Sequence, residues 1–248
     1  MAVKKGDFIL LEYVGRVKQT GDLFDTTLQE VAKAENAYRE NEQYEPMLVV
    51  VGEGWVVEGL DEKVVDLEPE KPATIEIPQE KAFGPRDPSK VRSIPLRRLR
   101  NQRITPIPGM QIEVDQRPAV IRSVGAGRVQ VDFNPALAGK TLVYEATVKK
   151  ILPEKEEKMK ALIHRRFPSI DQAKFEIKST KKRVVVTMPE EVFILEGLQY
   201  AKQGFFMDMK KFFPESKELV FQEIYKMEEK PAEVEAEHKP IPPSGGEE

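Results

Sequence analysis

Residues that do covalent chemistry are scarce in this 248-residue chain, which has no cysteine and only two histidines, His164 and His238, far apart in sequence. Without thiolates there is no disulfide, no thiol nucleophile and no thiolate metal site. Neither histidine has a second histidine or a carboxylate pair at ligand spacing, which argues against a histidine-dependent catalytic centre and a bound metal. No cofactor is expected. What remains is quieter chemistry. Asp25, in "LFD", follows apolar strand residues; a carboxylate there needs a partner or the edge of a pocket, unless it only ends a turn. The stretch Gly52–Leu60, "GEGWVVEGL", holds the only tryptophan and two adjacent valines between glycines. Trp55, Val56 and Val57 are either ordinary core or the floor of a pocket, and the run alone does not choose.

The elements that position these residues are readable from periodicity. Phe8 to Lys18 reads as a strand with Ile9, Leu11, Tyr13, Gly15 and Val17 on one face, and Thr20-Gly21-Asp22 turns it into a hairpin return at Leu23-Phe24-Asp25. Residues 28–45 contain helix-favouring residues and no glycine or proline before Glu45, which predicts an inserted helical excursion. Leu48–Val51 is the next buried strand, Glu58–Val65 a short helix, and "KPATIEIP" a strand with Ala73, Ile75 and Ile77 facing one way. The loop "KAFGPRDP" follows. "KTLVYEATVKKIL" is a long strand with Leu142, Tyr144, Ala146 and Val148 on one face, patterned to pair with the N-terminal strands.

Between them, residues 86–130 change character. Ten Arg and Lys side chains face three carboxylates here, a net charge of +7 in a chain of net -3, so the remainder carries -10. Strands at 112–114, 119–121 and 129–131 and the helix-like "PLRRLRNQ" describe a small β-rich module. If the long strand rejoins the first ones, this module is an insertion in a discontinuous domain. From Glu154 the chain reads α-β-β-α-β. Met159, Leu162 and Phe167 recur at helical spacing, and Thr187-Met188-Pro189-Glu190 resembles a capping box opening a helix to about Gln203, which Phe205–Phe213 extends past Gly204. "GFFMDMKKFF" is read as a buried helix. Residues 228–248 lack a core-forming pattern and are expected to be disordered. The near-neutral charge gives the whole chain no nucleic-acid signature, and no apolar run approaches a membrane span. A cytoplasmic protein is expected, and abundant Lys and Glu without Cys lean towards a thermophilic source.

Taken in order, Tyr13, "LFD" at 23–25, "VGEGWVVEGLDE" at 51–62, "AFG" at 82–84 and "NPALAGKTLVYE" at 134–145 resemble the FKBP-type peptidyl-prolyl isomerases. The block at 86–130 sits where SlyD-like members carry their insert-in-flap domain, and the C-terminal domain is similar to that of the long archaeal members. The resemblance implies an α+β fold: an antiparallel sheet wrapped on a short helix (residues 1–85 and 131–153), an inserted β-rich domain (86–130) and a C-terminal α-β-β-α-β domain (154–227). It implies a pocket made by Tyr13, Phe24, Asp25, Met47, Val56, Val57, Leu60, Phe83 and Tyr144, with the Val57 backbone N–H donating to the substrate carbonyl. Trp55 precedes the floor, and Leu60 stands where many members carry an indole. Phe83 lacks the hydroxyl usual at its position, and Met47 replaces a common aromatic, so weakened inhibitor binding is expected.

The implied function is isomerisation of X-Pro bonds with chaperone activity. The rival is a holdase of the same fold with an idle pocket. Unfolded or proline-containing polypeptides would be the clients, held by Ile94, Leu96, Leu99, Ile104, Ile107 and Met110 amid the insert's charge. The basic block is otherwise a solvated face or an RNA contact, though no aromatic between Arg86 and Arg128 offers a stacking platform. Nucleic acid and membrane are not expected partners; a homodimer through the C-terminal domain is.

Overall fold

In a computed structural model, which describes residues 2–225, strand β1 (Phe8–Val17) is buried on both faces along much of its length. Its alternate side chains enter two different cores. Ile9, Leu11 and Tyr13 meet the helix side of the sheet, while Phe8 and Leu10 meet the C-terminal domain. β1 pairs antiparallel along its whole length with a later strand, and its other edge is shared by two short ones. β2 (Leu23–Thr26) covers Val14–Arg16, and β3 (Met47–Val50) covers Phe8–Leu11. In the gap between those two partners, Thr27 closes the ladder: its N–H donates to the Tyr13 carbonyl, and its Oγ1 accepts from the Tyr13 N–H at 2.8 Å. A buried threonine is tolerated there because both its polar groups are paired.

The excursion between β2 and β3 is helical only at α1 (Gln29–Ala34). The predicted helix over 28–45 is therefore corrected. Asn36 adopts a left-handed conformation (φ 54°), and the Ala37 N–H returns to the Ala32 carbonyl, a Schellman closure that stops the helix. Helix α2 (Glu58–Lys63) then packs Leu60 against the sheet, with Val64 just beyond it, and β4 (Pro72–Ile77) follows.

The inserted unit comprises β5 (Val91–Pro95), α3 (Leu96–Asn101), β6 (Gln111–Val114), β7 (Arg117–Gly125) and β8 (Arg128–Asp132). Its sheet runs β5-β8-β7-β6 over a core of its own, in which Leu99, Ile121, Val129 and Val131 are buried. Periodicity missed β5, whose Pro95 end disguises the alternation. The long return strand β9 (Leu142–Leu152) lies between β1 and β4, giving the main sheet the order β2-β1-β9-β4 with β3 beside β1.

The C-terminal unit follows as α4 (Lys155–Arg166), β10 (Glu176–Ser179), β11 (Arg183–Met188), α5 (Leu198–Phe212) and β12 (Glu218–Glu223). The capping box expected at Thr187 does not form. Thr187 and buried Met188 stay in the β11 ladder, and α5 begins instead after Gly197, whose φ is 78°. Gly204 lies inside α5; a Cβ there would come 2.8 Å from the Arg166 guanidinium. The glycine thus lets the two helices approach and Arg166 donate to Asp208 at 2.9 Å. The expected buried helix at "GFFMDMKKFF" is buried on one face only: Phe205, Met209 and Phe213 are inside, Phe206 and Met207 outside. Residues 228–248, expected to be disordered, lie outside the described residues. No helix among the described residues is long and apolar enough to cross a membrane.

Candidate active site

The "GEGWVVEGL" stretch is a glycine turn tied to the helix it feeds. Gly52 and Gly54 both take left-handed backbone angles, φ 87° and 67°, which side-chain-bearing residues resist. Asp61, buried in α2, accepts from the Gly52 N–H at 2.8 Å with one oxygen and from the Gly54 N–H at 2.9 Å with the other. That carboxylate fixes where Trp55, Val56 and Val57 emerge. Val57 caps α2, and its own N–H has no acceptor among the described residues. Val57 lines a cleft of about 570 Å³ between sheet and helix.

The cleft gathers all nine residues expected to form it. Val56, Val57 and Leu60 come from the turn and α2, Tyr13 and Tyr144 from the neighbouring strands β1 and β9, Phe24 and Asp25 from β2, Met47 from β3, and Phe83 from the loop after β4. Three further residues join them: Arg39, Trp55 and Leu137. Leu137 lies in the quoted "NPALAGKTLVYE", where its apolar side chain was the available signal. Arg39 had none, since it sits in the irregular excursion. The walls are aromatic rings set edge to face: Tyr144 stands 5.5 Å from Tyr13 and 5.5 Å from Phe24, centroid to centroid.

Asp25 has both the partner and the pocket. The Tyr13 hydroxyl donates to its Oδ2 at 2.7 Å, at the exposed mouth of the cleft. Burial, then the nearby Asp25 charge, pushes the Tyr13 phenol far above its ordinary range, and the same two causes raise Tyr144. Both hydroxyls therefore stay protonated. The Tyr144 hydroxyl makes no hydrogen bond among the described residues, so it is a second unclaimed donor.

Gly15 lies behind this wall, paired with Asp25 and Tyr144 in the sheet. A Cβ there would come 2.6 Å from the Phe24 ring. Gly15→Ala is therefore expected to drive Phe24 into the cleft and lower kcat/KM about tenfold, at a stability cost of about 1–3 kcal/mol. A tetrapeptide isomerisation assay alongside urea unfolding reads both, and an unchanged rate would show that Phe24 does not shape the reaction space.

The insert's apolar residues divide differently from expectation. Ile94 and Leu99 are buried in its core, and Leu96 and Ile104 pack against it, so these four do not form an open client surface. Alternation on β5 and the inner face of α3 turns them inward. Ile107 and Met110, in the turn before β6, are exposed. Much of the basic charge is also spent internally. Arg86 and Arg122 hold the buried Asp132, Arg98 pairs with Asp115, Arg128 bonds Ser93, and Arg92 and Arg117 flank the Phe133 ring at 5.9 and 5.2 Å. Among the described residues Lys90, Arg97, Arg100 and Arg103 have no acidic partner.

The cleft offers aromatic walls, the Asp25 carboxylate and the Tyr144 hydroxyl, with no cysteine or histidine among its lining residues. Comparison with known proteins supplies the class. Residues 1–99 match the family model for FKBP-type peptidyl-prolyl cis-trans isomerase, residues 92–137 that of the FKBP26 IF domain, and residues 155–226 that of the FKBP26 C-terminal domain. A short-type peptidyl-prolyl cis-trans isomerase of Methanocaldococcus jannaschii is 36% identical over 155 residues, which cover 62% of this chain and 98% of that protein. A probable FKBP-type 16 kDa peptidyl-prolyl cis-trans isomerase of Pseudomonas fluorescens is 25% identical over 138 residues, 53% of this chain and 91% of the relative. The chain belongs to the FKBP-type peptidyl-prolyl cis-trans isomerases and carries FKBP26-type insert and C-terminal domains.

Proposed function

We propose that X-Pro bonds rotate in the cleft between β1, β9 and α2, and that the insert holds unfolded client segments near it. Rotation is slow because amide resonance, about 18–20 kcal/mol, must be broken. The planar amide is more dipolar than the twisted one, so water favours the ground state. Phe24, Phe83, Tyr144, Met47, Val56 and Leu60 replace that water with apolar contacts, and the Val57 N–H holds the carbonyl next to the prolyl bond. Asp25, oriented by Tyr13, meets the carbonyl carbon side as the bond twists. A barrier lowered by about 6 kcal/mol gives roughly 10⁴-fold, a reasonable load for these effects together. What carries the reading is the convergence of those side chains on one cleft, with the Val57 N–H among the lining donors that have no acceptor among the described residues.

The client role rests on exposed Ile107 and Met110 in the unit that also carries Arg97, Arg100 and Arg103, which have no acidic partner among the described residues. Ile194, Tyr200 and Tyr225, exposed on the C-terminal unit, support pairing with a second copy. A cytoplasmic folding factor fits these features.

Catalysed refolding of a protein limited by a trans-to-cis prolyl step tests both sites. The intact chain should accelerate it. Asp25→Ala combined with Tyr144→Ala should lose about a hundredfold, or about 2.7 kcal/mol of transition-state stabilisation. Ile107→Ser with Met110→Ser should keep the rate on tetrapeptides and lose it on the protein. A pocket variant as active as the intact chain would leave the cleft idle and make this a holdase.

A further inference from the structure

We infer that the C-terminal domain sets the shape of the isomerase cleft, with Arg165 and Phe212 acting as positioning residues through Trp55; this rests on the reading of the cleft given above. Trp55 is the hinge of the argument. Trp55 lines the cleft. The Arg165 guanidinium carbon sits 3.9 Å from its ring centroid, and the Phe212 ring stands 6.0 Å away in a T-shaped arrangement. Arg165 comes from α4 and Phe212 from α5, so both long helices of the C-terminal unit contribute.

The same two helices also hold the chain next to two cleft residues. Lys211 of α5 forms an ion pair with Glu53, two residues before Trp55. His164 of α4 lies 2.6 Å from Glu45, two residues before Met47, and Gln43 donates to the Pro168 carbonyl just past α4. Phe212 also packs edge-on against Phe8 of β1 at 5.2 Å, which anchors the clamp to the sheet.

The loop needs such a hold. Gly52 and Gly54 give it a permissive backbone, and an indole at a cleft edge has several staggered rotamers available. Arg165 and Phe212 select one of them. Because Trp55 is two residues from Val57, its placement also sets the direction of the donor N–H. Residues 155–212 thereby act on catalysis without touching substrate.

Trp55 is the chain's only tryptophan, so its fluorescence reports this site alone. In the full-length protein, Arg165→Gln keeps part of the aliphatic stem and removes the cation. It is expected to shift Trp55 emission, weaken the emission change on binding a Leu-Pro tetrapeptide, and lower kcat/KM about fivefold, in line with the strength of a partly buried cation–π contact. Arg165→Lys should recover most of both signals, which a purely structural role would not require. Should Arg165→Gln lose its fold by circular dichroism, Phe212→Leu, close in volume, takes over the same measurements with the same expected direction. The inference is overturned if a folded variant of either kind leaves Trp55 emission unchanged, or shifts it while kcat/KM stays within about twofold. Asp25→Ala, run in parallel, separates the two levels: no loss there sinks the cleft reading itself, whereas loss there with none at Arg165 sinks only the clamp.

Discussion

Replacing Asp61 by alanine is expected to cost about 3–5 kcal/mol of catalytic-domain stability and to remove most isomerase activity with it. The carboxylate is buried and accepts two backbone N–H groups, one from Gly52 and one from Gly54. A hydrogen bond to a charged group contributes about 1.5–3 kcal/mol, and deletion leaves buried donors with nothing to meet. Two glycines in left-handed conformations then have no reason to stay there. Since Trp55, Val56 and Val57 follow directly, the cleft loses its floor and its donor. Asp61→Asn is expected to restore about half the stability, because the amide keeps one acceptor oxygen of the two. Urea unfolding followed by Trp55 fluorescence, with tetrapeptide kinetics on the same samples, measures both. A loss below about 1 kcal/mol would mean that the turn holds itself without the carboxylate.

The second large effect concerns the base of the insert. Asp132 is buried where β8 leaves the inserted sheet, and its oxygens meet Arg86 from the incoming segment, Arg122 from β7 and both nitrogens of Asn134. Asn134 in turn accepts from the Asp87 N–H and donates to its carbonyl, so the two crossing strands of the insertion are tied to each other. Burial alone would raise the Asp132 carboxyl. The hydrogen bonds from Asn134, Arg86 and Arg122 outweigh it and hold the group at about 2.

A folded-state pKa below the unfolded value means that the unfolded chain binds the proton more readily as pH falls. The stabilisation is therefore complete above the unfolded value, about 3.9, and is lost as pH drops from there through about 2. Its size is about 2 kcal/mol. Calorimetry at pH 5 and pH 2.5, comparing the intact chain with Asp132→Asn, should show the variant less stable at the higher pH and the gap narrowing at the lower. At neutral pH Asp132→Ala should cost about 2–4 kcal/mol, because Arg86 and Arg122 lose their shared anion while keeping some contact with water. A gap independent of pH would assign the effect to packing instead.

The parts of this molecule that were legible beforehand share one property: they depend on neighbours close along the chain or on a pattern of period two. β1, β4 and β9 announced themselves by alternation, and the family resemblance carried by short motifs in order located the cleft residues even though they lie on six separate segments. Asp25 was informative as a charge at the end of an apolar strand, and its partner proved to be Tyr13, one strand over. The misreadings have a different origin. Asn36 stops α1 through a backbone conformation that residue type permits without requiring. Thr187 looked like a helix cap because its neighbours suit one, yet the ladder to β12 claimed it. Ile94 and Leu99 were apolar in a charged block, and nothing local distinguishes a small core from a sticky surface.

Spacing and charge along the chain were thus enough to mark the long strands and the basic insertion between them, because backbone preference and hydrophobic periodicity act over a few residues; the sheet-on-helix unit and the cleft residues came from the resemblance to the FKBP-type isomerases. Which face of the insert is open, that β1 and β3 are buried on both sides, and that Trp55 both lines the cleft and meets Arg165 were decided only when distant segments packed. Burial belongs to the partner as much as to the residue, and no partner more than a hundred positions away leaves a mark on the local pattern.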